Sequence, residues 1–169
     1  MKKSLCLFIL TVLLTLSLTG CGISVPRPKV KTAEFDFSVT YEYGGEAHTI
    51  SGVYVCEYVG LSWSLDGGYS RDWSGYIKGG DYNDHFLIDT IDDGDEVILS
   101  LNFYPTYFMG DHNFNIHGVP APCIMIYDTT DEGGLRVLYD EKDVEEICGA
   151  KIISYKYGDP IENSFSLFY

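Results

Sequence analysis

Period-two alternation dominates the chain from Phe35 onward. Phe35, Phe37, Val39, Tyr41 and Tyr43 alternate with Asp36, Ser38, Thr40 and Glu42. Successive side chains of a strand point to opposite faces, so this pattern predicts a half-buried strand. Gly44-Gly45 supplies the positive φ of a tight hairpin turn. The return strand is expected from about Ala47 to Tyr58, and its alternation blurs near Gly52, the expected place for a bulge. Leu61, Trp63 and Leu65 then alternate with Ser62, Ser64 and Asp66. From Gly67 to Asp84 glycine, tyrosine and aspartate prevail, and Trp73 to Ile77 alone reads as a short strand.

His85 to Ile91 predicts another strand, closed by the turn Asp92-Asp93-Gly94-Asp95. Val97, Leu99, Leu101 and Phe103 then share one face, opposite Glu96, Ser100 and Asn102. Residues 105–122 hold three prolines and read as a long loop. Cys123 to Tyr127 and Leu135 to Tyr139 form an expected strand pair. One helix of about two turns is expected near residues 141–148, with Asp140 as its N-cap, acids in its first turn and Gly149 past its end. Lys151 to Tyr157 and Ile161 to Phe168 are expected to pair as a final hairpin through Gly158-Asp159-Pro160. Many short strands, glycine-marked turns and one helix predict an all-β fold, an antiparallel β-sandwich, with a closed barrel as the alternative. An immunoglobulin-like description would apply to architecture only, because the Cys…Trp…Cys spacing is lacking.

The first 21 residues follow a different pattern. Lys2 and Lys3 precede an apolar run from Leu5 to Leu18, which is short for a membrane span and has the layout of a secretory signal. It closes on Leu18-Thr19-Gly20-Cys21, which resembles the bacterial lipobox. That resemblance implies cleavage before Cys21, a diacylglyceryl group on its sulfur and a further acyl chain, such as palmitate, on its amino group. The expected organisation is a signal peptide over 1–20, a lipidated cysteine and extended tether over 21–33, and a single β domain over 34–169. The lipobox, short tether and acidic, tyrosine-rich β domain together resemble small surface lipoproteins of low-GC Gram-positive bacteria. That likeness carries no activity with it. It places the chain at the outer face of the cell membrane, held by acylated Cys21.

Charge sharpens this picture. Without residues 1–20 the chain keeps nine basic side chains against 25 acidic ones, a net −16; from Glu34 onward the balance is six against 25, a net −19. Arg27, Lys29 and Lys31 form a basic stretch near the anchor, which reads as a tether attracted to anionic lipid with the acidic body repelled from it; a soluble acidic domain on an incidental linker is the alternative. Nucleic acid is excluded as a partner, since no basic patch is visible. Of the five cysteines, Cys6 leaves with the signal and Cys21 takes the lipid. Cys56, Cys123 and Cys148 read as core filler, one bridge among them being the alternative.

Three constellations are candidates for chemistry. Asp89, Asp92, Asp93 and Asp95, with Glu96, cluster carboxylates that calcium favours; the competing reading is a solvated turn, and no other cofactor is expected. Asp81, Asn83 and Asp84 pose the same question. Asp111-His112-Asn113-Phe114-Asn115-Ile116-His117 could gather zinc ligands, against a loop packed by Tyr107, Phe108 and Phe114; His48 and His85 stand apart. Trp63, Tyr69, Arg71, Asp72, Trp73, Tyr76 and Tyr82 offer rings for stacking on a sugar beside a carboxylate, against core and strand-forming roles. Motifs of nucleophilic, zinc-peptidase and phosphate-loop enzymes are missing, and no residue stands out as catalytic. The expected function is therefore a surface lipoprotein whose β-sandwich binds or scaffolds a glycan or surface protein. A hydrolase of glycan or wall polymer using paired carboxylates is the first alternative. A structural subunit pairing through a strand edge near Ser164 to Tyr169 is the second.

Overall fold

The computed structural model describes residues 25–65, 68–80, 84–91, 94–111, 120–128, 136–139 and 141–167. Its elements run Arg27–Pro28 (β1), Thr32–Tyr43 (β2), Glu46–Ser64 (β3), Gly68–Ile77 (β4), His85–Thr90 (β5), Glu96–Ser100 (β6), Pro105–Phe108 (α1), Cys123–Asp128 (β7), Arg136–Tyr139 (β8), Glu141–Cys148 (α2), Lys151–Tyr157 (β9) and Phe165–Ser166 (β10). Two four-stranded antiparallel sheets result, ordered β4-β3-β2-β9 and β5-β6-β7-β8, with β1 and β10 pairing apart from them. The fold is all-β and sandwich-like, and each large sheet is a meander, with β9 returning to β2.

Alternation places the core where the sequence put it. Phe35, Phe37 and Val39 of β2 face Val97 and Leu99 of β6 and Ile124 and Ile126 of β7, all buried. Aromatic rings fill one end: Tyr54 stacks on Phe103 at 4.1 Å, and Phe35 lies 4.9 Å from Phe108. Gly44 and Gly45 both have positive φ, +61° and +81°, the geometry of a type I′ hairpin turn. Gly149 closes α2 at φ +68°, its N–H donating to the Glu145 carbonyl. Asp140, the expected N-cap, lies outside the described residues. Cys56, Cys123 and Cys148 form no disulfide among the described residues.

Several expected boundaries move. β3 is one strand of 19 residues, and Gly52 lies in unbroken register opposite Phe37. A Cβ at Gly52 would sit 3.0 Å from the Phe37 ring, so glycine there makes room for that ring. The irregularity falls instead between Tyr58 and Gly60, where Val59 is the extra residue. β4 begins five residues before the short strand expected at Trp73. The long loop from 105 contains α1, started by Pro105 at its first position.

The expected hairpin of 151–157 with 161–168 does not form. β9 pairs with β2, while β10 pairs with β1. The chain is diverted after Gly158, whose N–H donates to the Asp36 carbonyl, and Ile161 N–H donates to the Phe108 carbonyl. Much of the expected tether is docked as well. Asn163 acts as a strand partner for Val30, accepting from its N–H at 3.0 Å and donating to its carbonyl at 2.8 Å. Lys29 N–H donates to the Ser164 carbonyl, and Pro28 is buried.

Candidate functional site

The side chains that the sequence grouped along 63–82 are divided by strand geometry. Opposed residues of an antiparallel pair share a face. Trp63 opposes Tyr69, Leu61 opposes Arg71 and Tyr58 opposes Trp73, so these six side chains lie on the core-facing side of β3 and β4. Asp72 and Tyr76 lie on the reverse face, where Tyr76 donates to Glu57. Asp72 therefore shares its face with Tyr76 but not with Trp63, Tyr69 or Trp73. Tyr82 lies outside the described residues.

Arg71 and Trp73 are drawn inside by Asp111, the first residue of the expected histidine loop. Arg71 Nε donates to Asp111 Oδ2 at 2.6 Å, and Nη2 donates to Oδ1 at 2.5 Å. This is the two-pronged fork that a planar guanidinium makes with a carboxylate. Trp73 Nε1 adds a third donor to Oδ2 at 2.9 Å. Arg71 Nη1 donates to the Pro26 carbonyl at 3.1 Å, and its guanidinium carbon lies 4.0 Å from the centre of the Phe165 ring. Arg71 and Asp111 are only 6% and 2% exposed. A buried charge is tolerated when paired and hydrogen-bonded, as both are here. This cluster ties β4, the end of α1, the N-terminal segment and β10 together, and its charged atoms are occupied in doing so.

Local backbone geometry delivers Asp111 to this position. Just past α1 the chain turns at Gly110 with φ +61°, and Asp111 N–H folds back to the Thr106 carbonyl at 2.9 Å. A Cβ on Gly110 would lie 2.3 Å from the Ile161 carbonyl oxygen. Glycine therefore permits both the left-handed turn and the close passage of the 161–164 segment.

What remains accessible is the far end of the β3–β4 hairpin. Beyond Arg71 the same face continues as Leu61, Trp63 and Tyr69, which are 42%, 58% and 50% exposed, with Leu65 at the tip. On the reverse, Ser62 and Ser70 join their hydroxyls at 3.0 Å. The tip is thus aromatic and aliphatic on one side and polar on the other. Leu61 was legible as an alternating apolar residue, but alternation says nothing about whether a second sheet reaches far enough to cover it.

The acidic turn is partly engaged elsewhere. Asp89 accepts from the Tyr43 hydroxyl, joining β5 to β2 across the sandwich, and from Thr90 N–H at 2.8 Å. The Tyr43 hydrogen bond, then the Thr90 amide, lowers the Asp89 pKa below its ordinary 3.8. The same hydrogen bond, then desolvation, pushes Tyr43 up from 10.0 to about 12. Asp92 and Asp93 lie outside the described residues, as do Asp81, Asn83, His112 and His117. Among the described residues no three His, Cys, Asp or Glu side chains group around a common metal position. His48 stacks on Tyr41, and His85 Nε2 lies 3.4 Å from Asp84.

The Tyr43–Asp89 link carries a pH dependence. A depressed carboxyl pKa contributes stability above its unfolded value that is lost as pH falls through the folded one. A raised tyrosine pKa contributes below about pH 10 and is lost as pH rises toward 12. The contribution is therefore expected between about pH 4 and pH 10. Urea melts of Tyr43→Phe and the parent at pH 3, 7 and 11 should differ most at pH 7; an unchanging difference would rule out the link.

A depression of about 460 Å³ opens beside β2 and the end of β9, with Glu34, Asp36, Lys156 and Asp159 around Phe35 and Tyr157. It brings together none of the residues singled out from the sequence. No helix among the described residues is long and apolar enough to cross a membrane. Comparison with protein-family models, curated proteins and solved structures finds no match to this chain.

Proposed function

We propose that the chain is an exported lipoprotein, anchored through acylated Cys21 at the outer face of the cell membrane, whose β-sandwich is a binding or scaffolding module. The observation that carries this reading is the Leu18-Thr19-Gly20-Cys21 sequence closing an apolar run behind Lys2 and Lys3. The docked N-terminal segment supports it. The chain is gripped from Pro26 onward by Arg71 and β10, so few residues separate Cys21 from a fixed point on the domain. At about 3.5 Å per residue, five residues allow at most about 18 Å. A domain held so closely works at the lipid surface, suited to presenting a face there.

Replacing Cys21 with alanine tests the anchor. The parent chain should float with membranes and incorporate an alkyne-labelled fatty acid. The C21A chain should take up no label and move to the soluble fraction. Unchanged membrane association of C21A, without label in the parent, would defeat the reading.

A further inference from the structure

We propose that the Leu61–Trp63–Tyr69 face of the β3–β4 hairpin is a membrane-contact surface that rests in the lipid interface and fixes the orientation of the anchored domain. The inference deepens the lipoprotein reading and rests on it.

The face is built from three apolar side chains that point the same way, each more than two fifths exposed, with Leu65 at 87% on the tip. Its composition fits one occupant. Tryptophan and tyrosine favour the lipid headgroup boundary, where the ring body meets apolar atoms and the polar edge stays wet. Ser62 and Ser70 on the reverse face suit the water side of such a contact. The hairpin itself satisfies its backbone by cross-strand pairing from Gly60–Asp72 to Ser64–Gly68.

The path of the N-terminal segment selects the membrane over a soluble protein as the occupant. The Lys31 carbonyl accepts from Tyr58 N–H, while the Pro26 carbonyl accepts from Arg71. Tyr58 opposes Trp73, and Arg71 lies two residues nearer the tip, opposite Leu61. Following the chain from Lys31 back toward Cys21 therefore leads along the hairpin toward its tip. Four residues from Leu61 to Leu65 span about 14 Å, comparable with the reach of about 18 Å left to Cys21. The lipid that holds Cys21 and the apolar face are thus within reach of one surface.

Charge points the same way. Arg27 and Lys29 are exposed beside this end, whereas the chain from Glu34 carries the net charge of −19. Seating the hairpin and the basic segment on an anionic surface turns the bulk of the acidic domain toward water.

The test uses the intact acylated protein in vesicles of phosphatidylcholine with a minor share of phosphatidylglycerol. The emission of Trp63 is isolated by subtracting a Trp63→Phe variant, since that exposed position tolerates the change and leaves buried Trp73 in both chains. Flotation of the vesicles is recorded in parallel. Lipids brominated on their acyl chains should quench about half of the Trp63 emission, as expected for a side chain seated at the headgroup–acyl boundary, and iodide in the water should quench little of it. An anchored, floating protein whose Trp63 is open to iodide and untouched by bromolipid would overturn the proposal and leave the anchor standing. Protection from iodide that grows with protein density, without bromolipid quenching, would assign the face to a second copy and overturn it equally. Protein that fails to float would refute the anchor and this proposal with it.

Discussion

Asp111→Ala is expected to destabilise the domain by about 3–5 kcal/mol, because it strands the Arg71 guanidinium inside the fold. In the parent, Asp111 receives both prongs of that guanidinium and the Trp73 indole N–H. Removing the carboxylate leaves a buried cation facing a ring and one carbonyl, and leaves the indole donor without that acceptor. Arg71→Ala should cost a similar amount, by stranding the carboxylate instead. The double variant R71M/D111L replaces both charges with apolar groups and should recover most of the loss, since the pair's own net contribution is small once desolvation is counted. Equilibrium urea unfolding of the three variants checks this. Additive losses would mean that the two side chains do not act as a pair. Destabilisation should also loosen the N-terminal segment, because Arg71 holds Pro26; limited proteolysis near Arg27 should accelerate in D111A.

Gly110→Ala is the second large effect, expected at about 3 kcal/mol. Part of the cost is conformational: an L-residue at φ +61° carries roughly 1–2 kcal/mol of strain that glycine avoids. The rest is spatial, since the added carbon would lie 2.3 Å from the Ile161 carbonyl oxygen, and backbone cannot swing aside as a side chain can. The 161–164 segment must move, and with it the contacts of Asn163 and Ser164 that hold Val30 and Lys29. Thermal unfolding monitored by near-ultraviolet circular dichroism reads the loss. A variant as stable as the parent would show that 161–164 does not press on this glycine.

β2 was legible because its burial obeys a period of two: Phe35, Phe37, Val39 and Tyr41 are buried and the residues between them are not. β6 was legible from its apolar run, but Val97 to Leu101 are all buried, Ile98 and Ser100 included, so both of its faces are covered. β4 was largely hidden, because its core-facing positions include Arg71 and Gly75 where an apolar residue is expected. Arginine is acceptable there only because Asp111 arrives from forty positions away in the sequence, a meeting that local pattern cannot reveal. α1 is a single turn, too short for a helical period to register. β1 and β10 are two residues each, and their pairing joins the two ends of the described chain.

The site was read with the same mixture. Residue type offers Trp63 and Tyr69 either for stacking or for the core, and both are exposed on one face. Arg71 and Trp73, from the same group, turn inward toward Asp111, while Asp72 and Tyr76 face the other way. Residue type marked the rings; only strand pairing and the extent of the opposing sheet divided them.

Intact-mass analysis of the mature protein, extracted from membranes, addresses the anchor most directly. The expected product begins at Cys21 and carries the added mass of a diacylglyceryl group, with or without a further acyl chain. A mature chain that retains residues 1–20, or that starts elsewhere without acyl mass, would contradict the anchored reading and the membrane-seated hairpin built upon it.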